Sequence, residues 1–218
     1  MILRALMDAT DGRFPPVDGG VTFTSAFDGP QGTTLHAVVA FTGHAFIATS
    51  VAPSAILAAG ADGYGMASSP DVLLILGRAH GDCASFGVTD ATLFARGRAQ
   101  GPSPLLSERS DLEDHHRVRH ARKLRHDVRV YGDARGLVTL GHGLAGRLEM
   151  SVEAEPAGQG KGWGGSLITD ALRLVPEGEV VFAAVAPGNA RSLRAFLRLG
   201  FTVIGSETII VTQPREHA

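Results

Sequence analysis

The sequence predicts an α/β protein, and three observations carry that prediction. Strand-length segments rich in β-branched and aromatic residues recur along the chain, as at 34–50 and 127–155. Segments with helical periodicity separate them, most clearly at 164–176 and 188–200. Five glycines crowd residues 158–165, directly between a strand-like and a helix-like segment. Glycine costs about 0.5–1 kcal/mol inside regular structure, so this cluster requires an explanation.

The N-terminal part predicts a smaller set of strands and helices. Residues 11–34 are rich in Gly, Pro and Asp and predict turns around one short strand. The segment 34–50 predicts one or two strands with Gly43 at a turn or a bulge, and PSAILAAG predicts a short helix. The unbroken apolar run DVLLILGRA predicts a strand that is buried on both faces.

The segment DLEDHHRVRHARKLRHD, residues 111–127, is the most charged part of the chain and predicts a helix capped by Asp111. It contains four histidines, of which His116 and His120 have the i, i+4 spacing of metal ligands. We favour a solvated basic face over a metal site, because no Asp, Glu or Cys is spaced to complete the ligand set.

Three further strands are predicted between residues 127 and 156, and the last of them is GRLEMSVEAEP. Its glutamates Glu149, Glu153 and Glu155 fall on one face, because side chains alternate along a strand. Carboxylates aligned in this way are expected to raise one another's pKa, which suits a general base working near neutral pH.

Two phosphate-loop motifs fit the glycine cluster poorly. A nucleotide triphosphatase P-loop needs Ser or Thr after its lysine, but Lys161 is followed by Gly162. The dinucleotide fingerprint G-x-G-x-x-G is formally present from Gly160 to Gly165, yet the next strand ends at Ala186 where an acid should hold the ribose.

A third motif, Q-x-x-G-x-G, is formed by Gln159, Gly162 and Gly164. Such a loop wraps a pyrophosphate with backbone N–H groups and a helix N-terminus. Here the sequence resembles the GNAT-type N-acetyltransferases. The strand RLEMSVEAEP, the loop QGKGWG and the segment VAPGNARSLRAFLRLGF carry the resemblance in order and cover residues 146–201.

The resemblance implies a GNAT-like fold for residues 86–218, with a soft boundary near residue 85. That fold is a mixed, mostly antiparallel sheet flanked by helices, in which two central strands splay apart to admit a cofactor. Residues 1–85 would form an N-terminal α/β extension of unknown role.

The resemblance also implies acetyl-CoA as cosubstrate and assigns residues to it. The predicted cofactor-binding residues are Ala154, Glu155, Gln159, Gly160, Lys161, Gly162, Trp163, Gly164, Gly165, Ser166, Asn189 and Ser192. Glu149 and Glu153 are the candidates for the base that deprotonates the attacking amine. The family's usual tyrosine, which protonates the CoA thiolate, is replaced by Phe196; Ser192, Tyr131 or a water could serve instead.

The predicted activity is therefore transfer of an acetyl group to an amine acceptor by direct attack in a ternary complex. The departure at Phe196 leaves open a second class, a catalytically silent acyl-CoA sensor or scaffold. A Rossmann-type oxidoreductase is a third class, disfavoured by the missing ribose acid. The sequence does not identify the acceptor.

Composition excludes several partners. The net charge of −2 gives no general attraction to nucleic acid or to an anionic membrane. Cys83 is the single cysteine, so no intramolecular disulfide and no cysteine metal cage can form, and we expect it to be inert. No apolar run approaches the roughly 18 residues of a membrane span. We expect a cytoplasmic protein; a homodimer is compatible with the sequence, which does not indicate an oligomeric state.

Overall fold

The computed structural model describes residues 1–78, 84–99, 101 and 106–212, without the side chains of 84–86. Cys83 lies outside these residues. The helices of the described chain are α1 (Ile2–Thr10), α2 (Pro53–Ala58), α3 (Pro70–Arg78), α4 (His116–Leu124), α5 (Trp163–Ala171) and α6 (Ala190–Arg198). The strands are β1 (Gly20–Thr24), β2 (Phe27–Asp28), β3 (Thr34–Phe41), β4 (His44–Ala48), β5 (Ala84–Phe86), β6 (Asp90–Arg96), β7 (Ser107–Glu108), β8 (His126–Asp133), β9 (Gly136–His142), β10 (Leu148–Ala154), β11 (Val180–Val185) and β12 (Thr202–Thr212).

The chain forms two compact units, one made of Met1–Thr92 with the segment from Ile204 onward, the other of Leu93–Val203. In the first unit the strand order is β1-β4-β3-β12, with β2 also pairing β3 and β5 also pairing β12. The segment 34–50 forms two strands, β3 and β4, which make a hairpin that turns at Gly43, whose φ is +76°. Val38, Ile47 and Leu76 are fully buried in its core. The assignment of separate roles to residues 1–85 and 86–218 stays a prediction.

The prediction of a buried strand for DVLLILGRA is wrong, because this run forms helix α3. Pro70 begins the helix, where its missing N–H costs nothing, and Asp71 lies in the first turn. Val72 and Leu76 are buried one turn apart, whereas Leu74 is 43% exposed. The side chains therefore follow a helical period, which a continuous apolar run does not reveal.

The second unit contains the strands β6-β11-β10-β9-β8-β7 in that order. The pairs β7–β8, β8–β9 and β9–β10 are antiparallel, whereas β10 and β11 are parallel. With β1 and β4 as the other parallel pair, the described registers confirm a mixed, mostly antiparallel sheet. None of the helices in the described residues has the length and apolar character that a bilayer crossing requires.

Helix α4 begins later than the sequence predicts. Its N-cap is His115, and no acidic residue lies in its first turn. The expected cap, Asp111, instead accepts hydrogen bonds of 2.7 and 2.8 Å from the Arg109 guanidinium. A bidentate ion pair with a nearby arginine thus replaces the capping role.

Candidate functional site

Strands β10 and β11 diverge, and the divergence defines the candidate site. Strand β10 pairs with β9 along its whole length, from Leu148 to Ala154. Between the described residues of β10 and β11, by contrast, one position is paired, Glu149 with Phe182. The edge of β10 beyond Glu149 therefore has no paired strand on its β11 side. An unpaired edge offers N–H and C=O groups to an extended, amide-containing chain.

The glycine loop follows β10 at this edge and leads directly into α5. Gly160 and Gly162 have φ of +77° and +76°, the left-handed region that glycine adopts without cost. A Cβ at either position would meet no atom within 4 Å, so both face open space. Gly162 is the N-cap of α5 and supplies no side-chain cap, and the first-turn N–H groups have no partner earlier in a helix. The loop thus has the shape and polarity of an anion site.

Trp163 and Lys161 stabilise the loop from its side. The Trp163 ring lies against Gly158, where an added Cβ would come within 2.4 Å of the ring. Lys161 Nζ lies 5.5 Å from the centroid of the same ring, a cation–π distance. Ser166 donates its hydroxyl to the Trp163 carbonyl at 2.9 Å. These contacts give Trp163 a packing role in positioning the loop.

Asn189 and Ser192 lie on the other side of the gap. Asn189 follows β11 as the glycine loop follows β10, and parallel strands end at the same edge of a sheet. The side chain of Asn189 accepts a hydrogen bond from the Ser192 N–H at 3.2 Å and so caps α6, as predicted. The cap uses the side-chain oxygen of Asn189, and the amide NH2 group takes no part in it.

Phe196 is buried and contributes no proton donor. Its ring packs edge-to-face on Phe201 with 4.8 Å between centroids. Tyr131 lies on β8, which β9 separates from β10, and burial raises the pKa of its hydroxyl. Neither ring brings a phenol to the gap between β10 and β11.

Glu149 is the centre of a buried ion-pair network. The residue is 3% exposed, and its carboxylate accepts hydrogen bonds from Arg147 Nε at 2.7 Å and from Arg125 Nε at 2.9 Å. The N–H of Leu144 donates to it as well, at 3.1 Å. Arg147, 2% exposed, also lies over the ring of Phe182 at 5.1 Å. Glu149 thereby joins the strand to the turn before it and to the end of α4.

The expected rise in the pKa of Glu149 is wrong. Burial alone would raise this pKa, but the attraction of Arg147 and Arg125 and the hydrogen bonds from Arg147 and Leu144 outweigh burial and lower it. Glu149 is therefore held as a carboxylate by two guanidinium groups. The sequence analysis missed Arg125 and Arg147, because nothing in the local pattern marks a basic residue as the partner of a buried acid.

Glu153 lies on the same face near the C-terminal end of β10 and is more accessible than Glu149. Its Oε2 accepts a hydrogen bond from Arg117 Nε at 3.0 Å and lies 3.1 Å from His116 Nε2. Both partners belong to the first turn of α4. The third glutamate, Glu155, is exposed, and its N–H donates to the Arg135 carbonyl at 2.9 Å. The three predicted glutamates thus have three different environments.

One segment of the chain matches a known protein family. Residues 141–211 match the family model described as FR47-like protein. No curated protein matches the chain. Among solved structures, a GCN5-related N-acetyltransferase from Kribbella flavida matches at 13% identity with a TM-score of 0.41, over 68% of this chain and 65% of its own.

Two further structures match at a similar level. A Drosophila protein has 13% identity and a TM-score of 0.42, with coverage of 66% of this chain and 57% of its own. A protein from Novosphingobium aromaticivorans assigned to the GNAT family has 16% identity and a TM-score of 0.37, with coverage of 62% and 70%. The chain thus spans less than two thirds of the length of the Kribbella and Drosophila proteins.

The fold and the site define an α/β protein whose two parallel strands part beside a glycine-rich helix start. Within this chain, residues 141–211 match the FR47-like domain model. The predicted resemblance is confirmed for that domain.

Proposed function

We propose that this protein is an acyl-CoA-dependent N-acyltransferase that transfers an acetyl group from acetyl-CoA to an amine. The observation that carries the proposal is the parting of β10 from β11 after the pair Glu149–Phe182, with the glycine loop at the end of the opened edge. Acetyl-CoA combines a pyrophosphate with a chain of amides, and this site offers a matching donor set for each. Acetyl-CoA also supplies the acyl thioester for the transfer.

The chain's residues divide the binding between them in this proposal. In the segment Gln159 to Gly164, the N–H groups of Gly160 and Gly162 and those of the first turn of α5 hold the pyrophosphate, because they and the helix dipole favour an anion. The N–H groups of Gln159 and Lys161 already donate to the carbonyls of Pro156 and Gly158. The edge of β10 up to Ala154 binds the pantetheine amides as a strand would, whereas the backbone of Glu155 is already paired with Arg135 and Gly158. The amide NH2 of Asn189 faces the cofactor arm from the β11 side.

Two helical glycines give independent support. Gly164 and Gly165 lie in α5, and φ at neither is positive. A Cβ at Gly164 would lie 3.9 Å from Ala154 Cβ, and one at Gly165 would lie 4.0 Å from Leu199 Cδ1. Neither turn geometry nor packing therefore requires glycine. Close approach of a ligand to the backbone supplies the missing reason.

Glu153 is the glutamate that we assign as base for the attacking amine. Glu149 is committed to two arginines in the interior, whereas the Glu153 side chain is 30% exposed and lies next to the proposed cofactor edge. An amine must lose its proton before it attacks, and a carboxylate in reach, directly or through one water, can accept it. We assign Glu149 a positioning role.

The test compares two valine variants by calorimetric titration with acetyl-CoA. Gly162 and Gly178 have φ of +76° and +82°, and a Cβ at either meets no atom within 4 Å, so valine strains both backbones alike. We expect wild type and Gly178→Val to bind acetyl-CoA and Gly162→Val to lose binding. NAD(H) should give no heat. Equal affinity in the two variants, or no binding by wild type, would overturn the proposal.

A second candidate, an acyl-CoA sensor without turnover, is favoured by Phe196. Its ring is buried against Phe201, so the position that would hold a proton-donating tyrosine has no hydroxyl. Release of free thiol from acetyl-CoA, measured with a broad panel of amines, separates the two candidates. Turnover that falls in Glu153→Gln supports the enzyme, whereas binding of acetyl-CoA without turnover of any amine supports the sensor.

A further inference from the structure

Three potential metal ligands converge where α4 begins. The donor atoms of His115, His116 and Glu153 all lie within 4.8 Å of one another. The imidazole centroids of the two histidines are 4.5 Å apart, and His116 Nε2 lies 3.1 Å from Glu153 Oε2. The sequence argument against a metal site was that no acid is spaced to complete it. In three dimensions the acid comes from β10, 37 positions after His116.

We propose that His115, His116 and Glu153 form a binding site for a divalent transition metal, with Zn²⁺ as the best-suited ion. Two imidazoles and one carboxylate are a known zinc ligand set, with water completing the tetrahedron. Zinc–ligand bonds of about 2.0–2.2 Å place neighbouring donor atoms roughly 3.4 Å apart. The donor atoms of His116 and Glu153 are 3.1 Å apart, close to this separation, and the His115 donor atom lies within 4.8 Å of both. This inference does not depend on the proposed cofactor site, but it uses the same Glu153 that we propose as the base, so a bound ion would block that role.

The ligands are accessible to an ion from solution. The side chains of His116 and Glu153 are 68% and 30% exposed, and His115 is half-buried. They are carried by two elements, the start of α4 and the end of β10, so a bound ion links helix to strand. Metal binding should therefore raise the thermal midpoint of unfolding as well as release heat.

Arg117 is the group that competes with the metal. Its Nε donates to Glu153 Oε2 at 3.0 Å, and its backbone N–H donates to His115 Nδ1 at 3.2 Å. The guanidinium repels a cation and occupies a carboxylate lone pair, so its removal should strengthen metal binding. Coordination through Nδ1 would cost His115 its helix cap, because that atom accepts the Arg117 N–H. His116 and Glu153 are consequently the stronger ligands and His115 the weaker one.

The experiment is calorimetric titration of the full chain, free of any polyhistidine tag, with Zn²⁺ alone, repeated with Co²⁺ for its absorption spectrum. We expect one ion per chain and a cobalt spectrum of low coordination number. His116→Ala and Glu153→Gln should each weaken binding by at least about ten- to hundredfold, the cost of losing even an outer-shell partner. His115→Ala should weaken it less.

Two variants make the test specific. His120→Ala is the matched control, because His120 is one turn from His116 on the same helix and is the partner that sequence spacing alone suggests. We expect it to leave affinity unchanged. Arg117→Gln should tighten binding by up to about fivefold, the equivalent of one exposed ion pair. A damaged fold cannot produce that gain. Absence of zinc binding, or zinc affinity unchanged in both His116→Ala and Glu153→Gln, would overturn the proposal.

Discussion

Replacement of Glu149 by glutamine distinguishes a structural carboxylate from a catalytic base. The substitution keeps the volume of the side chain and removes its charge. Arg147, 2% exposed, and Arg125, 9% exposed, then lose their buried counter-charge. Removing one partner of a buried ion pair costs about 3–5 kcal/mol, because the remaining charge stays desolvated. A typical domain is stable by about 5–15 kcal/mol, so we expect Glu149→Gln to remove a large fraction of the stability.

The assay is urea unfolding monitored by the fluorescence of Trp163, the only tryptophan in the sequence, which lies in the same unit as Glu149. Glu153→Gln is the matched control, since its ion pairs are with side chains 36% and 68% exposed. Exposed pairs contribute about 0–1 kcal/mol, so the control should change little. A loss below about 1 kcal/mol in Glu149→Gln would refute the reasoning. A variant as stable as wild type but without turnover would identify Glu149 as the base.

Three further predictions follow from individual contacts. The pKa of Glu149 is lower in the folded protein than in the unfolded chain, so its ionised side chain stabilises the fold. This contribution is full above about pH 4.3 and is lost as the pH falls toward the folded pKa. Unfolding free energies measured from pH 6 downward should therefore fall more steeply in wild type than in Glu149→Gln. Gly136→Ala should destabilise by at least about 1–3 kcal/mol in urea unfolding, since φ there is +138° and a Cβ would lie 2.1 Å from the Glu153 carbonyl oxygen. Asn189→Ala should cost about 1 kcal/mol through loss of the α6 cap to Ser192, and Asn189→Ser should restore most of it.

Local patterns in the sequence predict most of the second unit. The alternation in β10, the glycine cluster and the Asn189 cap are each complete within a dozen residues, so their signals do not depend on distant partners. The helix α1 carries an equally local signal, with Ile2, Leu6 and Ala9 buried on one face. It could have been found from that spacing. The error at α3 has a different origin, because an apolar run without polar interruptions has no period to measure.

The chemistry of the candidate site was less predictable, because it depends on partners far apart in the chain. Glu149 and Glu153 have the same side chain, share a face and stand four positions apart. Arg125, at the end of α4, reaches the first and His116, at its start, reaches the second. Helix α4 thus runs along the face that carries the glutamates and gives each a different role. Strand periodicity identifies the shared face but not the helix that covers it.

The helical glycines give a last prediction, in which stability and ligand binding change in opposite directions. Alanine fits at Gly164 and Gly165, since the nearest atoms to a new Cβ are 3.9 and 4.0 Å away. Alanine is more favourable than glycine in a helix by about 0.8–1.0 kcal/mol per residue, with less expected in the first turn. The double variant Gly164→Ala, Gly165→Ala should therefore be more stable than wild type in urea unfolding. If the first turn of α5 binds a pyrophosphate, the two methyl groups stand between backbone and ligand, and affinity for acetyl-CoA should fall. A variant that gains stability and binds acetyl-CoA as tightly as wild type would leave the two glycines unexplained and remove this support for a cofactor site.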